Sequence, residues 1–195
     1  MKRVESMEQK EKIIDEIHQA VDRLSRTLDG LIEMVDFQKN NERIAKKLSF
    51  SAILKTVKND LKVQIDECHP DMKIKTDFKV RSIRYVPAFL HSIIYNLISN
   101  AIKYRDYGRA LEISINTKKF DKYIALSVKD NGIGIDLDKY GEQLFKPFKR
   151  LNLDREGRGI GLSLINEAVA KNGGSIQVKS ELAEGTEFTL YLHQY

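Results

Sequence analysis

Apolar positions in the first part of the chain recur at alternating spacings of three and four. Ile14, Ile17, Val21, Leu24, Leu28, Leu31 and Val35 trace a heptad seam, the repeat that keeps one helical face turned toward a partner. Ile13, Ala20, Ile32 and Met34 flank the seam and widen it, which suits a helical bundle better than a bare two-stranded coil. Gly30 is the only Pro or Gly within it. No other segment matches this helix in length and period. Its stripe must therefore be buried on the rest of the chain or on another chain, and the length of the seam favours another chain.

After "KNNERIAKK" the pattern shortens. A helix is expected around residues 50–62, then a strand in "MKIKTDFKV", where Met72, Ile74, Thr76, Phe78 and Val80 alternate with polar residues. "VPAFLHSIIYNLISNAIKY" reads as a helix with Pro87 in its first turn. Leu111, Ile113 and Ile115, then Ile124, Leu126 and Val128, give two strands of an antiparallel hairpin joined by the polar "NTKKFDK". Residues 161–172 form a helix stopped by Asn172-Gly173-Gly174. Strands at Ile176–Val178 and at Phe188, Leu190 and Leu192 close the chain across "AEGTE". Helices and mainly antiparallel strands in this order predict an α+β fold, a two-layer α/β sandwich behind a long N-terminal helix. The expected division is 1–48 and 49–195.

Charge adds one point. Residues 1–70 hold 13 basic and 13 acidic residues and residues 71–195 hold 20 and 15, so the whole +5 excess lies in the second part. That suits an anionic ligand such as a nucleotide. It argues against nucleic acid, because no dense Lys/Arg run with interleaved aromatics occurs. Lone Cys68 excludes an internal disulfide and a multi-cysteine metal site, and such cysteine poverty fits a reducing compartment. No apolar run approaches the roughly 20 residues of a membrane span, and "MKRVESMEQKEK" lacks the apolar core of a secretory signal.

Four clusters carry candidate chemistry. Asn96, Asn100 and Lys103 share one helical face. An amide oxygen is a hard ligand for Mg²⁺ and a lysine neutralises phosphate oxygens; a plain solvent-facing polar stripe is the alternative. In "DNGIGID", Asp130 ends a strand, where a carboxylate can accept a hydrogen bond from an exocyclic amine such as adenine's, and Gly132 and Gly134 clear room for a ring. A simple glycine-rich turn is the alternative there. "LFKPFKRLN" sets Phe145 and Phe148 around Pro147 before Lys149 and Arg150; it reads as a lid with a hydrophobic anchor, or as a loop pinned by aromatics. "EGRGIGLSLI" places Gly157, Gly159 and Gly161 ahead of a helix, so that backbone N–H groups and the helix's positive end can face an anion.

In this order, the four clusters resemble the asparagine, first glycine, phenylalanine and second glycine boxes of the histidine kinase ATP-binding domain, the Bergerat fold. "EGTEF", Glu184 to Phe188, resembles its third glycine box. The resemblance covers about residues 70–195. "IIDEIHQAVDRLSRTLDGLIEMVDFQK" is similar to the second helix of the family's dimerisation and phosphotransfer hairpin.

The resemblance implies ATP and Mg²⁺ as cofactors. Asp130 would hold the adenine amino group, with Gly132, Gly134 and Ile135 shaping the base pocket and Thr186 lining it. Asn100 would coordinate Mg²⁺ with Asn96 in support, and Lys103 and Tyr104 would meet phosphate and nucleotide. Asn100 and Lys103 would serve catalysis by positioning and charge neutralisation. Arg150 and Arg158 would be lid contacts, and Gly157, Gly159, Ile160, Gly161 and Leu162 would form the phosphate-side loop.

Hydrolases of the wider superfamily carry a Glu four residues before the metal-binding Asn. Here that position is Asn96, and an amide cannot serve as general base for water. This argues for phosphoryl transfer to a protein side chain over ATP turnover by a stand-alone ATPase.

One feature departs from the family. No His-Glu/Asp-x-Arg/Lys-x-Pro-Leu pattern occurs. His18 is followed by "QAVDRL" and sits in what resembles the wrong helix, and His69, His91 and His193 fit no better. The resemblance then implies a phosphoacceptor helix upstream, a homodimer formed through the N-terminal helix, a response regulator as partner, and a cytoplasmic place for this part of a protein whose membrane association stays open. A non-catalytic nucleotide-binding or dimerising module is the competing class.

Overall fold

The computed structural model describes residues 13, 14, 21, 44–68, 71–149 and 159–194. The chain divides into two units, Met1–Asn41 and Glu42–Tyr195. Of the first unit, Ile13, Ile14 and Val21 are described: all three are helical and more than half exposed. Ile17, Leu24, Leu28, Leu31 and Val35 of the expected seam, and His18, lie outside the described residues.

The second unit is a two-layer sandwich, as the apolar pattern predicts. A small antiparallel pair joins β1 (Lys46–Ser49) to β3 (Ser82–Tyr85). The main sheet holds β2 (Lys73–Phe78), β4 (Glu112–Phe120), β5 (Tyr123–Asp130), β6 (Ser175–Glu181) and β7 (Gly185–His193), in the order β2-β4-β5-β7-β6. β2 runs parallel to β4 and every other pairing is antiparallel. Against one face lie α3 (Pro87–Lys103) and α5 (Gly161–Lys171), and α3 also packs against α1 (Phe50–Asp60). A short α2 (Lys62–Asp66) follows α1, and α4 (Leu137–Tyr140) follows the loop after β5.

Register explains the core. Ile115 pairs with Val128, and Val128 with Phe188; Thr117 pairs with Leu126, and Leu126 with Leu190. These side chains lie on one face and all are buried. The opposite face carries exposed Asn116, Lys118, Lys129, Gln177 and Lys179. α3 closes the sandwich with Leu90, Ile93, Ile94, Leu97, Ile98 and Ala101, all 3% exposed or less. Each large aliphatic side chain buried this way contributes about 1.5–3 kcal/mol. Lys103 in its last turn suits the negative end of the helix dipole. The glycine stop of α5 is present: Gly173 is left-handed at φ +71°, and its N–H and that of Gly174 donate to Ala170 and Val169 carbonyls.

The hairpin differs from the sequence reading. Strand β4 runs through the first five residues of "NTKKFDK", β5 starts directly after it, and the turn is only Asp121-Lys122. The polar stretch is strand because its outward positions face solvent while Thr117 points inward. That buried hydroxyl donates to the Val80 carbonyl at 2.6 Å and accepts the Val80 N–H at 3.3 Å. β1 and β3, four residues each, carry too little period to be read from the chain.

Candidate functional site

Asp130 ends β5 beside the β6–β7 hairpin. Its Oδ1 accepts two backbone N–H groups, from Gly132 at 2.8 Å and Thr186 at 3.3 Å. Its Oδ2 has no hydrogen-bond partner among the described residues. Burial pushes the carboxyl pKa above its ordinary value, and the two N–H groups oppose that in part. The side chain is thus a partly desolvated carboxylate, gripped by one oxygen and able to accept a donor with the other.

The loop after Asp130 is pinned at successive residues. Asn131 accepts the Glu112 N–H at 2.8 Å through Oδ1 and donates to the Ala110 carbonyl at 3.0 Å through Nδ2. Ile133 donates to the Tyr104 carbonyl at the end of α3, and its own carbonyl accepts the Ala183 N–H. Gly134 is left-handed at φ +72°, and a Cβ there would lie 1.9 Å from the Glu181 carbonyl oxygen; only glycine fits. Ile135 donates to Ser180 Oγ at 2.8 Å, and that hydroxyl also meets Thr186 Oγ1 at 2.8 Å and the Gly185 carbonyl at 2.9 Å. Thr186 is buried. The structure therefore gathers Asp130, Gly132, Gly134, Ile135 and Thr186 into one hydrogen-bonded rim, with Tyr104 joined to it through its backbone.

Asn96 and Asn100 lie half-buried on the polar face of α3. Asn96 Nδ2 donates to the Ser92 carbonyl at 2.9 Å and to Ser92 Oγ at 3.2 Å. Its Oδ1 faces α5: a Cβ on Gly161 would come within 2.5 Å of it. That close approach seats the start of α5 on the polar face of α3. The Asn100 amide makes no hydrogen bond and Lys103 no ion pair among the described residues, though the Lys103 ammonium lies 4.6 Å from the Tyr104 ring centroid. The cap of α5, Ile160, offers no side-chain hydrogen bond, so among the described residues no side chain caps the first-turn N–H groups. Gly159 is left-handed at φ +71°. Ile160 itself is buried in the core, its carbonyl accepting the Leu164 N–H and the Ser163 hydroxyl.

Other candidates fall elsewhere. In the segment read as a lid, Leu144 is the buried anchor and Phe148 is exposed. Arg150, Gly157 and Arg158, with His69, lie outside the described residues. His91 pairs with Asp60 at 2.8 Å and His193 packs edge-on to Tyr123. Four contributors escaped the sequence reading: Asn131, Ser180, Gly185 and Arg109, whose Nη2 donates to the carbonyls of Gly132, at 3.0 Å, and Ala183. Of these, only Asn131 and Gly185 sit inside stretches whose pattern drew notice.

Comparison with known proteins agrees with the fold. Residues 85–195, more than half of the chain, match a family model described as histidine kinase-, DNA gyrase B-, and HSP90-like ATPase. The autoinducer 2 sensor kinase/phosphatase LuxQ of Vibrio vulnificus is 39% identical over 109 residues, 52% of this chain and 12% of that protein. The signal transduction histidine-protein kinase ArlS of Staphylococcus aureus is 30% identical over 131 residues, 65% of this chain and 29% of that protein. The chain thus spans less than a third of either relative. Full-length ShkA in complex with AMPPNP superposes with a TM-score of 0.69 at 20% identity, covering 91% of this chain and 38% of that one.

Proposed function

Because the chain belongs to the histidine kinase-, DNA gyrase B-, and HSP90-like ATPase family, we propose that it is the ATP-binding catalytic part of a sensor histidine kinase, which passes the γ-phosphoryl group of ATP to a histidine in two-component signalling. One observation carries the reading: Asp130 is fixed through Oδ1 by two backbone amides while Oδ2 is left to accept a donor. An adenine exocyclic amine is such a donor. ShkA, which shares the fold, binds AMPPNP.

The remaining site residues follow from that anchor. Gly132, Gly134, Ile135 and Thr186 bound the base, with Tyr104 beside it. The half-buried Asn100 amide, uncommitted among the described residues, fits a hard divalent cation, and Asn100 would hold Mg²⁺ with Asn96 in support. Mg²⁺, when bound, neutralises charge on the phosphate oxygens. Lys103 adds a cation. Gly159, Gly161 and Leu162 offer backbone N–H groups at the start of α5, where no side chain caps the helix among the described residues; Gly157, Arg158 and Arg150, expected to add phosphate contacts, lie outside the described residues. The pocket supplies orientation and charge rather than covalent chemistry.

Asn96 separates transfer from hydrolysis. Its amide is spent on Ser92 and its oxygen abuts Gly161, and no amide activates water. The acceptor in this reading is a histidine side chain, as the name of the relative ArlS, a histidine-protein kinase, suggests. The half-exposed Ile14 and Val21 suit the first unit as part of a dimerising hairpin, with the second unit as the catalytic domain and a response regulator downstream in the relay.

The test has two arms. Calorimetry should show Mg²⁺-dependent binding of one ATP or ADP per chain, with negligible steady-state phosphate release. The longer protein, given γ-labelled ATP, should acquire acid-labile label on histidine. Absence of nucleotide binding, or rapid multiple-turnover hydrolysis, overturns the reading; binding without phosphohistidine in the longer protein makes the chain a non-catalytic nucleotide module.

A further inference from the structure

Arg109 belongs to none of the motifs above. It lies in the loop between α3 and β4, yet its Nη2 donates at once to the Gly132 carbonyl, 23 residues away in sequence, and to the Ala183 carbonyl, 74 residues away. Its Nε sits 3.4 Å from Asp106 Oδ2. Asp106 is itself fixed, since its Oδ1 accepts the Gly108 N–H at 2.9 Å. The guanidinium is thereby held from behind while it reaches forward to two backbone carbonyls.

Those two carbonyls are not arbitrary. Gly132 and the β6–β7 hairpin are the two sources of the N–H groups that grip Asp130 Oδ1. Ala183 sits in the turn of that hairpin, three residues before Thr186. The peptide between Gly132 and Ile133 is clamped on both edges, its oxygen by Arg109 and its N–H by the Tyr104 carbonyl. We infer that Arg109 is a positioning residue for base recognition: its guanidinium brackets the two segments whose amides hold Asp130, and so sets the direction in which Oδ2 points. Arginine suits this role because its planar, permanently charged group holds several N–H donors in fixed directions. Lysine reaches with a rotatable point charge and fixes less.

Arg109 is 38% exposed, so water can satisfy both carbonyls when the side chain is removed. The fold then survives and the spacing between loop and hairpin relaxes. The inference rests on the reading that Asp130 meets the exocyclic amine of the base, and the test separates the two. ADP and inosine diphosphate share ribose and phosphates, but inosine carries a carbonyl where adenine carries the amine. The ratio of their affinities therefore cancels the sugar and phosphate contacts and reports the C6–N1 edge of the base, where adenine offers an amine and a bare N1 and hypoxanthine a carbonyl and an N1–H.

Calorimetric titration of the 195-residue chain with each nucleotide in Mg²⁺ should give wild-type preference for ADP of about 30-fold, the value of one charge-assisted hydrogen bond. Arg109→Gln should lower that ratio about tenfold, chiefly through weaker ADP binding, with little change in melting temperature. Arg109→Lys should recover part of the loss. An unchanged ratio in Arg109→Gln overturns the inference. So does an equal loss for both nucleotides with a depressed melting temperature, which marks a general structural role. A wild-type chain that binds both nucleotides equally refutes the Asp130 assignment and this inference with it, whereas discrimination that persists in Arg109→Gln refutes the bracket alone.

Discussion

Replacing Asp130 with asparagine separates what this side chain costs the fold from what it does for a ligand. Burial raises its carboxyl pKa, and the Gly132 and Thr186 N–H groups offset only part of that rise. A raised folded pKa means that the ionised form is less stable in the fold than in the unfolded chain. The penalty is absent below the unfolded value of about 4, grows as pH rises through the raised folded value, and is constant above it. Asparagine has nearly the same shape, carries no charge, and can offer its Oδ1 to the same two N–H groups. Asp130→Asn should therefore melt at or above the wild-type temperature at neutral pH, and its advantage should shrink on acidification toward pH 4. The ligand side moves the other way. With Oδ1 committed, asparagine presents an NH₂ where the carboxylate presented a lone pair, and a charge-assisted hydrogen bond of about 2–3 kcal/mol is lost. ADP affinity should fall roughly 30- to 150-fold. Calorimetric ADP titration and thermal unfolding from pH 4 to pH 8 measure both sides. A variant that binds ADP normally and melts well below wild type would show that Asp130 is a structural residue, and would refute the reasoning.

Three further outcomes follow from the same geometry. Gly134→Ala forces a left-handed alanine against the Glu181 carbonyl and should cost at least ~2 kcal/mol, lowering the melting temperature by roughly 4–8 °C; an unshifted melt contradicts the close packing of this loop on β6. Asn131→Ala strips partners from the Glu112 N–H and the Ala110 carbonyl and should cost about 1–3 kcal/mol in urea unfolding, with a midpoint within error of wild type as the contrary result. Asn100→Ala should abolish the gain in ATP affinity that Mg²⁺ confers while leaving affinity in EDTA unchanged; equal Mg²⁺ stimulation in variant and wild type would remove Asn100 from the metal site.

Much of this was legible along the chain, for reasons that differ by element. α3 shows itself because its apolar and polar faces are both regular: Ile93, Ile94, Leu97 and Ile98 alternate with Asn96 and Asn100 at helical spacing. Asp130 shows itself because a carboxylate at a strand end ahead of two glycines is an uncommon local pattern. Arg109 and Ser180 do not, since the contacts that tie them to the loop after Asp130 and to the Ala183 turn, to the Gly132 and Ala183 carbonyls and to the Ile135 N–H, are with backbone groups 23 to 74 residues distant, and a backbone group leaves no mark in sequence. The outer half of β4 was misread as linker for a related reason. The adjacent Lys118 and Lys119 look like loop until the partner strand supplies hydrogen bonds and Val80 satisfies the one inward hydroxyl, Thr117.

The base rim and the polar face of α3 are mechanically one object. α3 carries Asn96, Asn100 and Lys103 along a single stripe, and its last carbonyl, that of Tyr104, accepts the Ile133 N–H from the loop that follows Asp130. Asn96 in turn sets how closely α5 can approach through Gly161. Any shift of α3 along its axis therefore moves the proposed metal ligand, the uncapped start of α5 and the floor of the base rim together. A nucleotide site built this way, as proposed, would need no separate device to keep base and phosphates in register. Its rigid end is the rim, where Asn131, Ser180, Gly134 and Arg109 each fix the backbone by a different contact. In the proposed reading, binding energy collected there by the base would serve to orient the phosphates at the other end, where the catalytic demand is position and charge rather than bond-making by the protein.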